Sequence, residues 1–384
     1  MGLSPISLAL TLDMREGVTD MSQQIHGLHT AALWVCIVIG IVVFGAMGYS
    51  MVAHRRSKHP QPADFEDHLG VEIVWTLIPV LILAALAFPA AKVLTEIEDN
   101  SDASLTVLIT GSQWKWHYEY LAHDIGFYSN LATPREQINS CGDWFLADTF
   151  CDLPDGDTEA GIAERLGNPN YLLEVDNSLV LPTNRKVRFL MASNDVIHSW
   201  WVPDFAVKQD AIPGFINEAW TNVPETGIYR GQCTELCGKD HAYMPIVVDV
   251  RTEDEFDQWI EDQRIAKELA SGQAVADREK TWDLAELRSI GEEVYLTKCA
   301  TCHQPNGGGQ GTTYPALNGS EIANGPVSAH IDRVMNGKAD TEMQAWAPQL
   351  SDRDIAAVIT FERNAWSNKP DDKLVQPLTI FESR

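Results

Sequence analysis

Two stretches of the chain carry no charge at all, residues 30–52 and residues 73–91. A helix of about 20 apolar residues crosses a hydrocarbon core, so each stretch predicts a transmembrane helix and together they predict a hairpin. The loop between them holds His54-Arg55-Arg56-Ser57-Lys58-His59. A cationic cluster in so short a loop stays on the cytoplasmic side, which puts both chain ends in the opposite compartment. Trp34 and Trp75 lie near the span ends, where aromatic rings anchor at the interface. The first span lacks the charged flank and small-residue cleavage site of a secretory signal and reads as retained.

From about residue 105 the pattern shortens to runs such as Thr106-Val107-Leu108-Ile109-Thr110, Leu172-Leu173-Glu174-Val175 and Lys186-Val187-Arg188-Phe189-Leu190-Met191. Such runs with turn residues between them predict the antiparallel strands of a sandwich or barrel, with further strands over 215–223 and 245–250. Residues 124–170 lose the pattern and become rich in Gly, Asp and Pro, as an insertion on the sandwich surface would. After Arg251 the spacing of Phe256, Trp259, Ile260 and Ile265 predicts a helix with one packing face. Further helices are expected over 284–296 and 352–366. The expected organisation is therefore a tail over 1–25, a membrane hairpin over 26–95, a β domain over 100–252, a helical linker over 253–281 and an all-α domain over 282–384.

Charge and cysteines narrow the chemistry. The formal net charge is -26. Residues 1–91 hold four Lys or Arg against seven Asp or Glu, a balance of -3, which leaves -23 on the remainder. A field of that sign repels nucleic acid and draws in cationic partners. Of the seven cysteines, Cys36 falls within the first span as a small apolar filler. Cys141 and Cys151 suit a disulfide in an oxidising compartment.

The other four cysteines belong to two motifs. Cys233-Thr234-Glu235-Leu236-Cys237-Gly238-Lys239-Asp240-His241-Ala242-Tyr243-Met244 places two thiols, an imidazole and a thioether in twelve residues. That soft set suits copper, whereas zinc has little use for a thioether. The order Cys, Cys, His, Met resembles the copper-binding corner of a cupredoxin, widened by a second cysteine so that two coppers share two bridging sulfurs. Further on, Cys299-Ala300-Thr301-Cys302-His303 is a covalent haem c attachment motif, with His303 as the proximal ligand. The glycines at 307–309 and Tyr314-Pro315-Ala316-Leu317-Asn318-Gly319 make this part look like a class I cytochrome c. His/Met ligation raises a haem potential, and two methionines follow. Met335 sits at helical spacing among apolar residues and is expected in the core. Met343 lies in a polar loop and is the expected distal ligand, although a Met-Gln pair stands where such cytochromes often have Met-Pro.

The chain resembles subunit II of the haem-copper cytochrome c oxidases over about residues 26–260. The resemblance rests on Val71-Glu72-Ile73-Val74-Trp75-Thr76-Leu77-Ile78-Pro79, Gln113-Trp114-Lys115-Trp116-His117-Tyr118, Asn194-Asp195-Val196-Ile197-His198-Ser199-Trp200 and Lys208-Gln209-Asp210-Ala211-Ile212-Pro213-Gly214, together with the cysteine loop. The haem part makes it look like the subclass with a fused C-terminal cytochrome c.

This resemblance implies a multidomain membrane protein: a two-helix transmembrane hairpin, an all-β cupredoxin sandwich carrying dinuclear CuA, and an all-α class I cytochrome c domain. It implies that His198, Cys233, Cys237, His241 and Met244 hold the copper pair with the Glu235 carbonyl. The Glu235 side chain is implied to reach a magnesium or manganese ion at the subunit I interface. Trp114 is implied as the residue that receives electrons and Glu72 as a carboxylate near a proton path. Lys115 departs from the aromatic usual in that run.

The implied function is the electron-input subunit of a proton-pumping terminal oxidase. Electrons pass from cytochrome c through haem c and CuA to subunit I, where oxygen becomes water. The implied partners are subunits I and III, a cytochrome c or similar donor and membrane lipid. The implied location is the bacterial inner membrane, with the globular portions periplasmic. The alternative is a membrane-tethered haem and copper carrier serving another reductase. A nitrous oxide reductase would need a histidine-rich catalytic domain, which 11 histidines do not supply. Covalent haem argues against a copper chaperone, and quinol-oxidising relatives lack the copper cysteines.

Overall fold

A computed structural model describes residues 14–61, 67–133, 170–338 and 341–384. Cys141, Cys151 and most of the expected insertion lie outside the described residues. The chain divides into two compact units, Met1–Gln258 and Trp259–Arg384.

In the first unit, α1 (Asp20–Ala53) and α2 (Leu69–Ile97) are long apolar helices with mean hydropathy 2.5 and 2.4, and none of either apolar window is buried. Helix α1 begins inside the expected tail. Thr19 explains why, since its hydroxyl accepts from the Ser22 N–H and the Ser22 side chain answers to the Thr19 N–H, a reciprocal cap that starts a helix. Pro79 and Pro89 lie within α2, where a membrane helix tolerates them.

Among the described residues ten strands follow: β1 (Leu105–Ser112), β2 (Lys115–Tyr120), β3 (Ile125–Ser129), β4 (Leu179–Pro182), β5 (Val187–Ser193), β6 (His198–Val202), β7 (Val207–Ala211), β8 (Asn217–Thr221), β9 (Gly227–Cys233) and β10 (Pro245–Arg251). They form two five-stranded sheets, ordered β3-β2-β1-β5-β8 and β4-β10-β9-β6-β7. Alternation in β1 and β5 puts Val107, Ile109, Phe189 and Met191 into the core with Trp116, Tyr118 and Trp200, the period of two that a half-buried strand requires.

Three expectations need correction. Two strand pairs, β1 with β5 and β10 with β4, are parallel, because long connections cross between them rather than hairpins. Ile125–Ser129 is a strand paired with β2, so the insertion begins later than residue 124; ladder bonds form through the backbone whatever the side-chain pattern. Leu172-Leu173-Glu174-Val175 is not a strand. Leu172 has φ 61, and only Val175 bridges, to Leu131.

Contacts tie the helices to the sandwich at both ends. Val18 N–H donates to the Asp204 carbonyl at 2.8 Å and Arg15 pairs with the Asp204 carboxylate at 3.0 Å. At the end of α2 the Glu96 carbonyl accepts from the Trp220 indole at 3.1 Å, and Lys186 reaches the Asp99 carbonyl at 2.7 Å.

Helix α3 (Glu253–Glu279) is continuous over 27 residues. Of its expected packing face, Phe256 is buried but Ile265 is exposed, since one face of a long solvated helix is covered only where another element meets it. In the second unit follow α4 (Leu284–Val294), a π turn (Tyr295–Cys299), α5 (Ala300–His303), α6 (Glu321–Asn324), α7 (Val327–Asn336), α8 (Asp352–Asn364) and α9 (Pro377–Glu382). Helix α9 was not anticipated. Helices α4 and α8 cross at Gly291, where an added Cβ would stand 2.0 Å from the Ala357 carbonyl oxygen. Tyr295, Phe361 and Trp366 interlock beside that crossing with ring centroids 5.1–5.7 Å apart, a spacing favourable for edge-to-face aromatic contact.

Candidate metal and haem centres

The first candidate centre forms where β9 ends, where β6 begins and in the loop from β9 to β10. Cys233 N–H donates to the Met244 carbonyl at 3.1 Å and Thr234 N–H to the Ser199 carbonyl at 3.0 Å. The loop is thereby pinned to both flanking strands. The Sγ atoms of Cys233 and Cys237 stand 3.9 Å apart, about twice the length of a disulfide bond, which is about 2.05 Å. One imidazole attends each sulfur: His198 Nδ1 is 3.9 Å from Cys233 Sγ and His241 Nδ1 is 3.4 Å from Cys237 Sγ. The ligand atoms of His198, Cys233 and Cys237 lie within 4.8 Å of one another. The Glu235 carbonyl is 3.4 Å from Cys233 Sγ, and Met244 is buried at the end of the loop. Glu235 itself is exposed. The structure thus brings together residues from a distant strand and the loop. A soft donor set of two sulfurs, each with its own imidazole, fits a pair of coppers.

Electrostatics follow from this crowding. The Cys237 thiol donating to Cys233 pulls the Cys233 thiol far down, and the same contact with burial pushes Cys237 up. Burial opposes charge on His198, but its hydrogen bonds to Asp195 and Cys233 outweigh it and raise that imidazole.

Asp195 also belongs to this cluster, a place that its motif contained without revealing. Its Oδ1 is 2.9 Å from His198 Nε2, and its Oδ2 accepts from Gln113 N–H at 2.8 Å. Holding Nε2 leaves Nδ1 for a metal, the arrangement by which outer carboxylates orient ligating histidines. The signal available in the sequence was an Asp three residues before a ligand His. Burial pushes the Asp195 carboxyl up, but the bonds from His198, Gln113 and Val196 hold it below its usual range.

Trp114 is half-buried beside this centre, and its indole N–H donates to the Cys237 carbonyl at 3.1 Å. Gln113 Nε2 donates to the same oxygen at 2.8 Å, and Lys239 Nζ lies 5.2 Å from the Trp114 ring. Gly238 has φ +119, and a Cβ there would meet Gln113 Nε2 at 2.9 Å and Trp114 Cζ2 at 3.0 Å. Glycine is therefore required for the backbone turn and for the indole's approach. Lys115 lies 5.2 Å from the Tyr128 ring. Glu72 stands apart in the first turn of α2, with its Oε1 3.4 Å from the His68 N–H.

The second candidate centre is a cavity of about 370 Å³ whose lining includes Cys299, Cys302, His303, Pro315, Leu317 and Met343. That volume falls within the range of about 300–1,000 Å³ typical of ligand sites. His303 Nδ1 lies 2.8 Å from the Pro315 carbonyl. This contact holds the ring and leaves Nε2 for a ligand. Burial, more than the neighbouring Glu362 charge, pushes the Cys299 thiol well up. Met343 lines the cavity, while Met335 is 4% exposed within the hydrophobic core. Tyr314 and Glu342 also line the cavity, and the Tyr314 hydroxyl donates to the Glu342 carboxylate.

Comparison with known proteins gives matches over both units. Residues 105–251 match the family model for the cytochrome c oxidase subunit II periplasmic domain, and residues 7–93 match its transmembrane domain. Residues 287–361 match the model for subunit III of cbb3-type cytochrome c oxidase. A probable cytochrome c oxidase subunit 2 of Rickettsia conorii is 36% identical over 242 residues, 63% of this chain and 68% of that one. Cytochrome c oxidase subunit 2 of Cereibacter sphaeroides is 36% identical over 247 residues, 64% of this chain and 78% of that one. Among solved structures, the periplasmic domain of subunit II of cytochrome oxidase from Bradyrhizobium japonicum is 36% identical, with TM-score 0.33, covering 43% of this chain and 96% of that one.

Proposed function

The chain belongs to the cytochrome c oxidase subunit II family and carries a cytochrome c domain at its C-terminal end, and on that premise we propose that it is the electron-input subunit of a proton-pumping terminal oxidase. It takes electrons from a cytochrome c and passes them to subunit I, where oxygen is reduced to water. The family implies CuA and the cytochrome domain implies haem c. The observation that carries the reading is the pair of sulfurs 3.9 Å apart with a separate imidazole at each.

Cys233 and Cys237 would bridge the copper pair, with His198, His241, Met244 and the Glu235 carbonyl completing it. Cys299 and Cys302 would hold haem c covalently, and His303 and Met343 would ligate its iron. Bound there, the two cofactors supply one-electron couples, one of them shared over two metals.

The protein's own part is positioning. Asp195 fixes the His198 ring so that Nδ1 faces the sulfurs, and the Pro315 carbonyl does the same for His303. Trp114 presents a half-buried indole whose N–H meets the Cys237 carbonyl, a short bonded route from the surface to a bridging cysteine. The exposed Glu235 side chain suits an outer ion, magnesium or manganese, at the subunit I surface. Glu72 at the start of α2 suits a proton path into subunit I. Two apolar helices with unburied faces suit lipid and the helices of subunits I and III, and the cationic loop between them supports a periplasmic side for the globular parts in a bacterial inner membrane.

The test is oxygen uptake by membranes supplied with reduced cytochrome c. Cys237→Ser is expected to abolish uptake while a tagged chain still co-purifies with a large multi-span subunit. Full uptake by the variant, or isolation of the wild-type chain without such a subunit, would contradict the reading.

A further inference from the structure

The expected distal methionine sits on a loop whose hydrogen bonds turn inward on the loop itself. The Lys338 N–H donates to the Met343 carbonyl at 2.9 Å, the Thr341 hydroxyl donates to the Lys338 carbonyl at 2.8 Å, and the Met343 N–H donates to Thr341 Oγ1 at 3.3 Å. Gly337, at φ +69, opens the loop where a Cβ would stand 2.3 Å from the Met343 carbonyl oxygen, so only glycine permits so close a return. Among the described residues of 338–343, one hydrogen bond leaves the loop: the Tyr314 hydroxyl donates to Glu342, the neighbour of Met343. Met343 adds an apolar hold by packing against the hydrophobic core.

Tyr314 is a firm post by comparison. It is 9% exposed. Its backbone pairs with Gln310, whose N–H donates to the Tyr314 carbonyl at 2.6 Å, and a Cβ at Gly309 would stand 2.3 Å from that same carbonyl oxygen. The next residue is Pro315, whose carbonyl lies 2.8 Å from His303 Nδ1. The Tyr314–Glu342 bond therefore joins the residue before the support of His303 to the residue before Met343. Tyr314, Pro315, Glu342 and Met343 all line the one cavity. A hydrogen bond onto an ionised carboxylate is of the stronger, charge-assisted kind.

We propose that this bond is a clasp: Tyr314 and Glu342 are positioning residues that hold the loop of Met343 to the segment supporting His303, and so set how often the thioether leaves the iron. The proposal rests on the haem reading given above, with Met343 as a ligand. A thioether is a neutral donor on a flexible side chain, so its retention depends on the loop that carries it. An added ligand gains access only while the loop is open, and its apparent affinity is scaled by that fraction. Imidazole then takes the place that the thioether has left, one neutral donor for another, with no electron or proton transferred.

The experiment uses the full chain in its purified, oxidised membrane complex. Imidazole is titrated against the ferric haem c bands, with the red charge-transfer band of methionine ligation as a second readout. Tyr314→Phe and Glu342→Ala are each expected to raise the apparent imidazole affinity about tenfold, equivalent to about 1.4 kcal/mol, while the methionine band persists without imidazole. The double variant is expected to match the single ones, because all three remove the same bond. Unchanged affinity in the single variants, or effects that add in the double one, would overturn the clasp alone. A wild type whose methionine band is missing, or a band that survives Met343→Ala, would overturn the ligand reading and the clasp with it. Should Tyr314→Phe fail to take up haem, Glu342→Ala, at an exposed position, decides by the same titration.

Discussion

His198 is separated from the cysteine loop by 35 residues, and what turns its ring toward Cys233 is a carboxylate three positions earlier. Removing Asp195 should free the ring while leaving every proposed copper ligand in place. Loss of such an outer partner typically costs 10–100-fold in metal affinity, so Asp195→Ala is expected to weaken copper retention by about that factor, measured by competition with a calibrated chelator. Trp114 makes a different contribution, since it touches a cysteine carbonyl and no ligand atom. Trp114→Phe keeps a ring but deletes the N–H donor. Electron uptake from cytochrome c should slow on the order of tenfold, equivalent to about 1.4 kcal/mol of barrier, with the copper spectrum intact in stopped-flow traces. Both residues stand inside motifs of the sequence, yet only Trp114 draws the eye there. An aromatic in a known run can be recognised, whereas the work of Asp195 depends on a ring orientation that no linear pattern encodes.

Elements were legible where a single period persisted. The two apolar spans and β1, β5 and β10 lie where hydrophobic spacing put them, because burial of one face leaves a mark on every second residue or on every residue. Ile125–Ser129 was missed because its burial runs in no clean alternation, and its place in the sheet comes from backbone pairing with β2. The run from Leu172 misled in the opposite direction, being apolar but bent at a positive φ. Helix α9 is six residues long, too short for a period to show. The two methionines were separable because Met335 continues the apolar face of α7 while Met343 follows a polar loop; the structure puts the former in the core and the latter at the cavity. The crossing of α4 with α8 also yields a prediction. Gly291→Ala would drive a Cβ into the Ala357 backbone, and overpacking of this kind costs about 1–3 kcal/mol. A lower melting temperature and a reduced yield of covalent haem, with copper content unchanged, are the expected results.

At the scale of the whole molecule the dominant property is charge. With -26 in total, of which all but -3 lies beyond residue 91, the globular part presents an acidic field to approaching donors. The Debye length shrinks from about 30 Å at 0.01 M salt to about 8 Å at 0.15 M. If a cationic cytochrome is the donor, kcat/KM measured with it should fall steeply over that range, while an anionic donor should gain. A flat response would assign the charge to solubility instead.

All of these expectations depend on two sulfurs holding two copper ions within a chain that also binds haem c. A visible and near-infrared spectrum of the purified membrane complex, taken with metal analysis, tests this most directly. Haem c bands, a mixed-valence band from the copper pair, haem absorption from subunit I and two coppers at this site per chain are the expected result. Zinc in place of copper, or a single copper with no near-infrared band, would contradict it.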